Sequence, residues 1–176
     1  TGWLALMGGM AGGGDIILIP EIDYSMDTVC EAIEERHLMG RRFSIVVVAE
    51  GIKTPSGEYA ERARVKESHD SLRLGGIGKY ISDEIEERTE VETRSTVLGY
   101  VQRGGTPTSR DRILATRYGY AALNAVLDGD FGKMVALRGN EIGTVSLEDV
   151  ADCRRRVDPS GQLVRTARAV GTCLGD

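Results

Sequence analysis

Two short, unbroken apolar runs flank one helical stretch early in the chain, and no other feature narrows the choice of fold as much. "DIILIPE" (15–21) and "RRFSIVVVAEG" (41–51) each hold a continuous apolar core bounded by glycine, proline or charge. Runs that brief and that continuous read as strands buried on both faces. Between them lies "SMDTVCEAIEERHLMG". Ser25 is placed to cap a helix there, Asp27 and Thr28 fall in its first turn, Val29, Ile33 and His37 share a face, and Gly40 ends it. Strand, helix and strand in that order predict an α/β fold with a parallel-type sheet covered by helices on both faces. In such sheets ligands sit at the carboxyl ends of the strands.

The remaining chain is read in the same way. "WLALMGGMAGG" (3–13) predicts a buried helix stopped by glycines. "IKTPSGEYAERARVKESHDSLRLGG" (52–76) is polar and without a sustained period, so a mobile loop is expected. A helix is predicted from Ile77 to Arg88, with Ile77, Tyr80, Ile81 and Ile85 inward and Glu84, Glu86 and Glu87 outward. "VETRSTVLGYVQ" (91–102) is read as a third strand. Thr106 as cap and Pro107 as first helical residue then open a long helix to about Leu127. "GKMVALRGNEIGTVSLEDV" gives two short strands joined by a polar turn. By this reading residues 1–150 form one ligand-binding α/β lobe, and residues 151–176 form a tail with a short helix packing on it.

Composition excludes several classes. Hydrophobic residues at 41% and charged residues at 28% are those of an ordinary soluble globular protein, so no disorder is expected over most of the chain. The net charge of -5, with Lys and Arg scattered among Asp and Glu, leaves no nucleic-acid footprint. The longest apolar runs fall far short of the roughly 20 residues a membrane span needs, and no charged leader precedes an apolar core, so the expected location is the cytoplasm. Cys30, Cys153 and Cys173 lack metal spacing, and His37 and His69 are not partnered with them; no metal site is expected. The opening "TGWLALMGG" reads as the middle of something, so a longer parent protein is expected.

Candidate ligand groups gather at the strand ends: Pro20 and Glu21 after the first strand, Glu50 after the second, Arg103 with Gly104 and Gly105 after the third. Glu50 follows an apolar strand, where a carboxylate loses hydration unless something pairs it. Either a structural arginine or a set of sugar hydroxyls would serve. In "QRGGTP" the glycines allow close backbone approach, while Arg103 offers a planar fork of donors to a phosphate, aided by free N–H groups at the helix start; the alternative is a plain strand-to-helix turn with Arg103 in solvent. Arg94 and Arg103, nine residues apart on an extended strand, would be separated by roughly 30 Å, too far to serve one site within one subunit. "GGMAGGG" lacks the Lys-Ser/Thr ending of a phosphate loop, "LGGIGKYI" is equally a hinge, and His69 with Asp70 has no third partner.

At "VVVAEG", "ETRSTVLGYVQRGGTPTSRDRILATRYG" and "ALRGNEI" the chain resembles the bacterial 6-phosphofructokinases, specifically their second, sugar-phosphate-binding half. The likeness covers about residues 2–150, and "LVRTARAVGT" fits the family's closing helix. "VVVAEG" with "KES" and "LGGIG" is most similar to the branch in which some members use ATP and others pyrophosphate. The resemblance implies that Glu50 accepts hydrogen bonds from fructose hydroxyls, that Arg103 grips the 6-phosphate, and that Arg94 reaches the 6-phosphate of a neighbouring subunit in a homodimer or homotetramer. Tyr100 stands where many members carry a phosphate-binding histidine; a phenol donates one neutral hydrogen bond and cannot become a cation near pH 6–7. Glu21 with Arg41 and Arg42 corresponds to the allosteric effector pocket of regulated members, although cations decorating a helix C-terminus explain the arginines equally well.

The resemblance also implies what lies elsewhere. The Met-Gly-Arg motif, the donor loop for ATP or pyrophosphate, the Mg2+-binding acid and the catalytic aspartate belong to the other half, so no catalytic residue is assigned here. The implied activity is phosphorylation of fructose 6-phosphate to fructose 1,6-bisphosphate in glycolysis, with ATP as donor, and the fragment alone is expected to be inactive. Pyrophosphate as donor, and a non-catalytic sugar-phosphate-binding regulatory module, are the alternatives.

Overall fold

In a computed structural model, residues 2–59, 61–64, 72–74, 76–151 and 155–176 are described, with 61–64 and 72–74 as backbone only. The chain divides into two compact units, Thr1–Val97 with Arg156–Asp176, and Leu98–Arg155. These bounds cut across the division at residue 150 expected from the sequence.

The first unit is organised around one buried strand. β1 (Ile16–Leu18) and β2 (Val46–Val48) pair in parallel, Ile16 opposite Val46 and Leu18 opposite Val48. The end of the chain joins the other side of β1, where Ile17 N–H donates to Cys173 O (2.9 Å) and Cys173 N–H to Asp15 O (3.0 Å). β1 is therefore central, and Ile16 to Ile19 are fully buried. β2 has β1 on one side, and its valines are half-buried.

Four helices contribute to the core around this strand pair. α1 (Gly2–Ala11) carries the first apolar stretch and ends in glycines as predicted. It lies so close to β1 that a Cβ on Gly9 would sit 2.6 Å from Ile17 Cδ1, a contact only glycine avoids. α2 (Met26–Leu38) starts at Ser25, whose hydroxyl accepts from Asp27 N–H at 3.2 Å. It buries Val29 and Ile33, but His37 is exposed, so the inward face is one turn shorter than its periodicity suggested. Gly40 ends the segment in the left-handed region, at φ +82. α3 (Ile77–Thr89) buries Ile77, Ile81 and Ile85. Its Arg88 ties it to α2, donating to Asp27 Oδ1 at 2.7 Å and to Glu84 at 2.8 Å. α6 (Gln162–Ala169) adds Val164 and Ala167 to the same core.

Part of the segment read as a loop carries a hairpin: β3 (Glu61–Arg64) pairs antiparallel with β4 (Leu72–Leu74). Residues 60, 65–71 and 75 of the expected mobile stretch, His69 and Asp70 among them, lie outside the described residues.

The second unit is a helix on a hairpin. β5 (Lys133–Arg138) and β6 (Glu141–Ser146) pair antiparallel around Gly139 and Asn140, in the two-strand arrangement expected. α4 (Ser109–Leu127) packs on both, and α5 (Leu147–Ala151) follows β6. None of the described residues of this unit is buried.

Two expectations fail in the connecting stretch. Residues 91–102 do not form a strand: 91–98 have no regular structure, and Gly99–Arg103 form a 3-10 turn. A strand needs a neighbour for its N–H and C=O groups, and among the described residues none lies alongside it. The long helix begins at Ser109, two residues later than read. Thr108 caps it in a reciprocal box, its hydroxyl accepting from Asp111 N–H at 3.2 Å while the Asp111 carboxylate accepts from Thr108 N–H at 2.8 Å. That reciprocal pair outcompetes Thr106 with Pro107, because it satisfies donors at the first turn that a lone threonine leaves open.

Candidate functional site

The carboxyl ends of β1 and β2 lie side by side because the strands are parallel and in register. Ala49 N–H continues the pairing to Leu18 O at 3.0 Å, Ile52 N–H turns back to Ala49 O at 3.2 Å, and both Ala49 and Ile52 are buried. Glu50, held between them, is exposed and has no hydrogen-bond or ion-pair partner among the described residues. A half-buried neighbour braces the turn: Tyr24 OH donates to Lys53 O at 3.1 Å. Burial, followed by the fields of Tyr80 and Glu84, pushes its phenol up to about 12, so it stays a neutral donor. Of the two explanations for Glu50, the structural arginine is not found among the described residues.

Glu21 leaves the neighbouring strand end and turns inward. Its Oε1 accepts from Val157 N–H at 3.2 Å, and its Oε2 is buried without a partner among the described residues. That oxygen lies against the start of α1, where a Cβ on Gly2 would fall 2.0 Å from it. Arg41 and Arg42 are exposed and follow the C-terminal end of α2, on the segment that leads into the amino end of β2. A 13-residue helix spans about 20 Å, so Glu21 and these arginines stand at opposite ends of the strand pair and do not converge within this chain. The acid at the arginines' end is Asp15, which the sequence reading passed over. It is already held, by Arg36 at 2.7 Å and by Ile45 N–H at 2.8 Å. Its position, immediately before a fully apolar strand, was the available signal.

Arg94 belongs to the first unit, exposed, with its guanidinium on Glu92 at 2.8 Å. A separation of roughly 30 Å between Arg94 and Arg103 requires an extended strand between them. The 3-10 turn removes that premise.

Tyr100 and Arg103 belong to the second unit, both on that turn. With three residues per turn, side chains at i and i+3 eclipse, so Tyr100 and Arg103 share one face. Tyr100 is 89% exposed, and neither it nor Arg103 has a partner among the described residues. Gly105 adopts φ +98, whereas Gly104 is extended, so one glycine of the pair supplies the special backbone. The helix start offers fewer free donors than expected, since Thr108 and Asp111 occupy one another. A pocket of about 410 Å³ opens between α4 and the hairpin turn, lined by Arg110, Arg117, Leu137 and Asn140 among others; no candidate residue lines it.

Tyr100 and Arg103 offer a phenol and a guanidinium on one face of the turn, and Glu50, in the first unit, offers a carboxylate. Among the described residues no group of three or more His, Cys, Asp or Glu is placed to hold a metal ion.

These observations meet the comparisons with known proteins. The family described as Phosphofructokinase matches residues 1–126, and the chain belongs to it. The ATP-dependent 6-phosphofructokinase of Spirochaeta thermophila is 49% identical over 176 residues, all of this chain and 48% of the relative. ATP-dependent 6-phosphofructokinase 2 of Clostridium perfringens is 44% identical over 177 residues, again covering 48% of its length. A pyrophosphate–fructose 6-phosphate 1-phosphotransferase of Amycolatopsis methanolica is 46% identical over 160 residues, 90% of this chain and 46% of that protein. The chain thus spans about half the length of these curated relatives. Among solved structures, the pyrophosphate-dependent phosphofructokinase of Marinobacter aquaeolei matches all of this chain and 46% of its own, with TM-score 0.69 and 19% identity, which speaks for the fold alone. Pichia pastoris phosphofructokinase in the T-state matches 84% of this chain and 15% of its own, with TM-score 0.62 and 32% identity. The α/β fold is the one expected. No helix among the described residues is long and apolar enough to cross a membrane.

Proposed function

We propose that this chain is the fructose 6-phosphate-binding half of a 6-phosphofructokinase, acting in glycolysis in the cytoplasm. In the complete enzyme the sugar 1-hydroxyl receives the terminal phosphoryl group of ATP. The observation that carries the reading is the exposed, unpartnered pair Tyr100 and Arg103 on one face of a single turn, in a chain whose relatives are named for this reaction. Arg103 grips the 6-phosphate bidentately, Tyr100 adds a neutral hydrogen bond, and Glu50 accepts from sugar hydroxyls. Arg94 serves the site of a neighbouring subunit, in a homodimer or homotetramer. Residues 1–150 carry these groups, while 151–176 brace the lobe.

Phosphoryl transfer is mostly positioning and charge stabilisation around the donor. The other half supplies these with ATP and Mg2+, and this chain alone is inactive. Turnover by the purified 176-residue chain would refute that statement. Pyrophosphate as donor is the second reading, favoured by the 46% identity to the Amycolatopsis enzyme; assay of the complete protein with each donor decides between them. Regulation through Glu21, Arg41 and Arg42 would need Glu21 to leave Val157 N–H, from which it accepts, or the arginines to act without it.

The direct test is titration of fructose 6-phosphate into a full-length phosphofructokinase carrying this chain as its C-terminal half. A charge-assisted bond contributes about 1.5–3 kcal/mol, so Arg103→Ala should weaken binding by roughly tenfold or more. An unchanged affinity removes Arg103 from the site. Arg94→Ala should act only in the assembled oligomer, and an equal loss in a verified monomer refutes the shared site.

A further inference from the structure

Glu50 is exposed and without a partner among the described residues, so its carboxylate stands wherever its backbone turn puts it. That turn is anchored from two sides. On one, Ala49 N–H closes the last bond to the neighbouring strand, at Leu18 O (3.0 Å). On the other, Lys53 O accepts from the Tyr24 hydroxyl at 3.1 Å. Past Lys53 the chain bonds to itself: Thr54 N–H donates to Glu58 O at 2.8 Å, Gly57 N–H donates to Thr54 O at 2.8 Å, and the Lys53 ammonium lies 5.2 Å from the Tyr59 ring centroid. Tyr24 thus fastens the far side of the arch that runs from Ala49 to Lys53 and carries Glu50.

Tyr24 is itself held firmly. It is half-buried against the core, and Ser25, which follows it, donates its N–H to Gly175 O at 2.7 Å. Gly175, at φ +88, is wedged between two side chains: a Cβ there would fall 2.7 Å from Tyr24 Cβ and 2.7 Å from Leu18 Cδ2. Arg168 clamps the next residue, donating to both carboxylate oxygens of Asp176 at 2.7 and 2.6 Å. A hydroxyl on so fixed a stem has little freedom to lose when it makes its bond. A sugar hydroxyl meets a carboxylate over about 2.5–3.0 Å, so a shift of the arch by a fraction of that distance is felt in binding.

We propose that Tyr24 is a positioning residue of the sugar-phosphate site: by tethering Lys53 O, its hydroxyl sets where the Glu50 carboxylate stands. Gly175 and Asp176 hold Tyr24 in that role. The role rests on the reading of Glu50 as the acceptor for fructose 6-phosphate hydroxyls. Tyr24 itself touches no substrate and acts through the backbone that Glu50 stands on.

The test is a double-mutant cycle in a full-length phosphofructokinase carrying this chain as its C-terminal half, read as fructose 6-phosphate affinity and as kcat at saturating phosphoryl donor. Tyr24→Phe keeps the ring and removes the hydroxyl. It should weaken fructose 6-phosphate binding by roughly three- to tenfold, the range of one lost hydrogen bond, with kcat changed less than about twofold. Glu50→Ala should weaken binding by roughly tenfold or more. Tyr24→Phe added to Glu50→Ala should cost less than about twofold further, since the tether then has no carboxylate to place. Unchanged affinity in Tyr24→Phe overturns the proposal. An equal Tyr24→Phe loss with and without Glu50 also overturns it, while leaving Glu50 in the site. A Glu50→Ala variant that binds as before ends the sugar-binding reading of Glu50 and this proposal with it. Amide exchange of the free enzyme gives a second reading that needs no ligand: Tyr24→Phe should speed exchange at Ile52 N–H at least about fivefold while Ile17 and Val29 keep their protection. Uniform acceleration, the mark of a general loss of stability, or no change at Ile52, overturns the tether.

Discussion

The two units of this chain bury their apolar residues to very different extents. The first closes Leu6, Ile16, Ile17, Leu18 and Ile19 almost completely, with strand pairing on both sides of β1. The second has a capped helix and a regular hairpin, yet buries none of its described residues. Good local geometry and a closed core are separate achievements. Hydrogen bonds and caps set the shape of the second unit, while burial sets the stability of the first.

Core truncation should break this comparison most sharply. Ile17→Ala leaves a cavity beside α1 and should cost about 2–5 kcal/mol in urea unfolding. Leu137→Ala, on a half-buried strand position, should cost less than half as much in the same experiment. Equal losses would mean that the second unit is as tightly closed as the first. Gly9→Ala comes next: its Cβ meets Ile17, and such overpacking typically costs about 1–3 kcal/mol. A neutral result would show that α1 can lift away freely. Thr108→Ala removes one side of the capping box and should cost about 0.5–2 kcal/mol, read as faster amide exchange confined to the first turn of α4. Loss of protection throughout the molecule would contradict the separation into units.

The smallest effect concerns acid. Hydrogen bonds from the Thr108 hydroxyl and backbone N–H hold the Asp111 carboxyl below its usual range. A depressed folded value means that the contribution is present above the unfolded value of about 3.9 and is lost as pH falls through the folded one. The first turn of α4 should therefore fray below about pH 4, followed by circular dichroism, and Asp111→Asn should flatten that dependence. A profile unchanged by the substitution would separate the cap from the acid response.

Legibility from sequence follows the same division. β1, α1, α2 and α3 were readable because they form the core they advertise: Ile77, Ile81 and Ile85 are apolar at helical spacing and are buried at it. The stretch 91–102 misled because its valines and threonines favour a strand in general, while a strand also requires a partner that composition does not reveal. Thr106 and Thr108 both precede helical sequence, and the choice turned on Asp111, three residues beyond Thr108. Among site residues, the strand-end position of Glu50 was plain from "IVVVAEG". The inward turn of Glu21 was hidden, because its partner Val157 is 136 positions away.

Glycines in the left-handed region stand at both ends of the turn that carries Tyr100 and Arg103: Gly99 at φ +48 and Gly105 at φ +98. Only glycine adopts such backbone at little cost, so the pair fixes where the turn starts and where the chain leaves it. Hydroxyl and guanidinium are thereby offered on one face, and a group that meets the cation there meets the phenol as well.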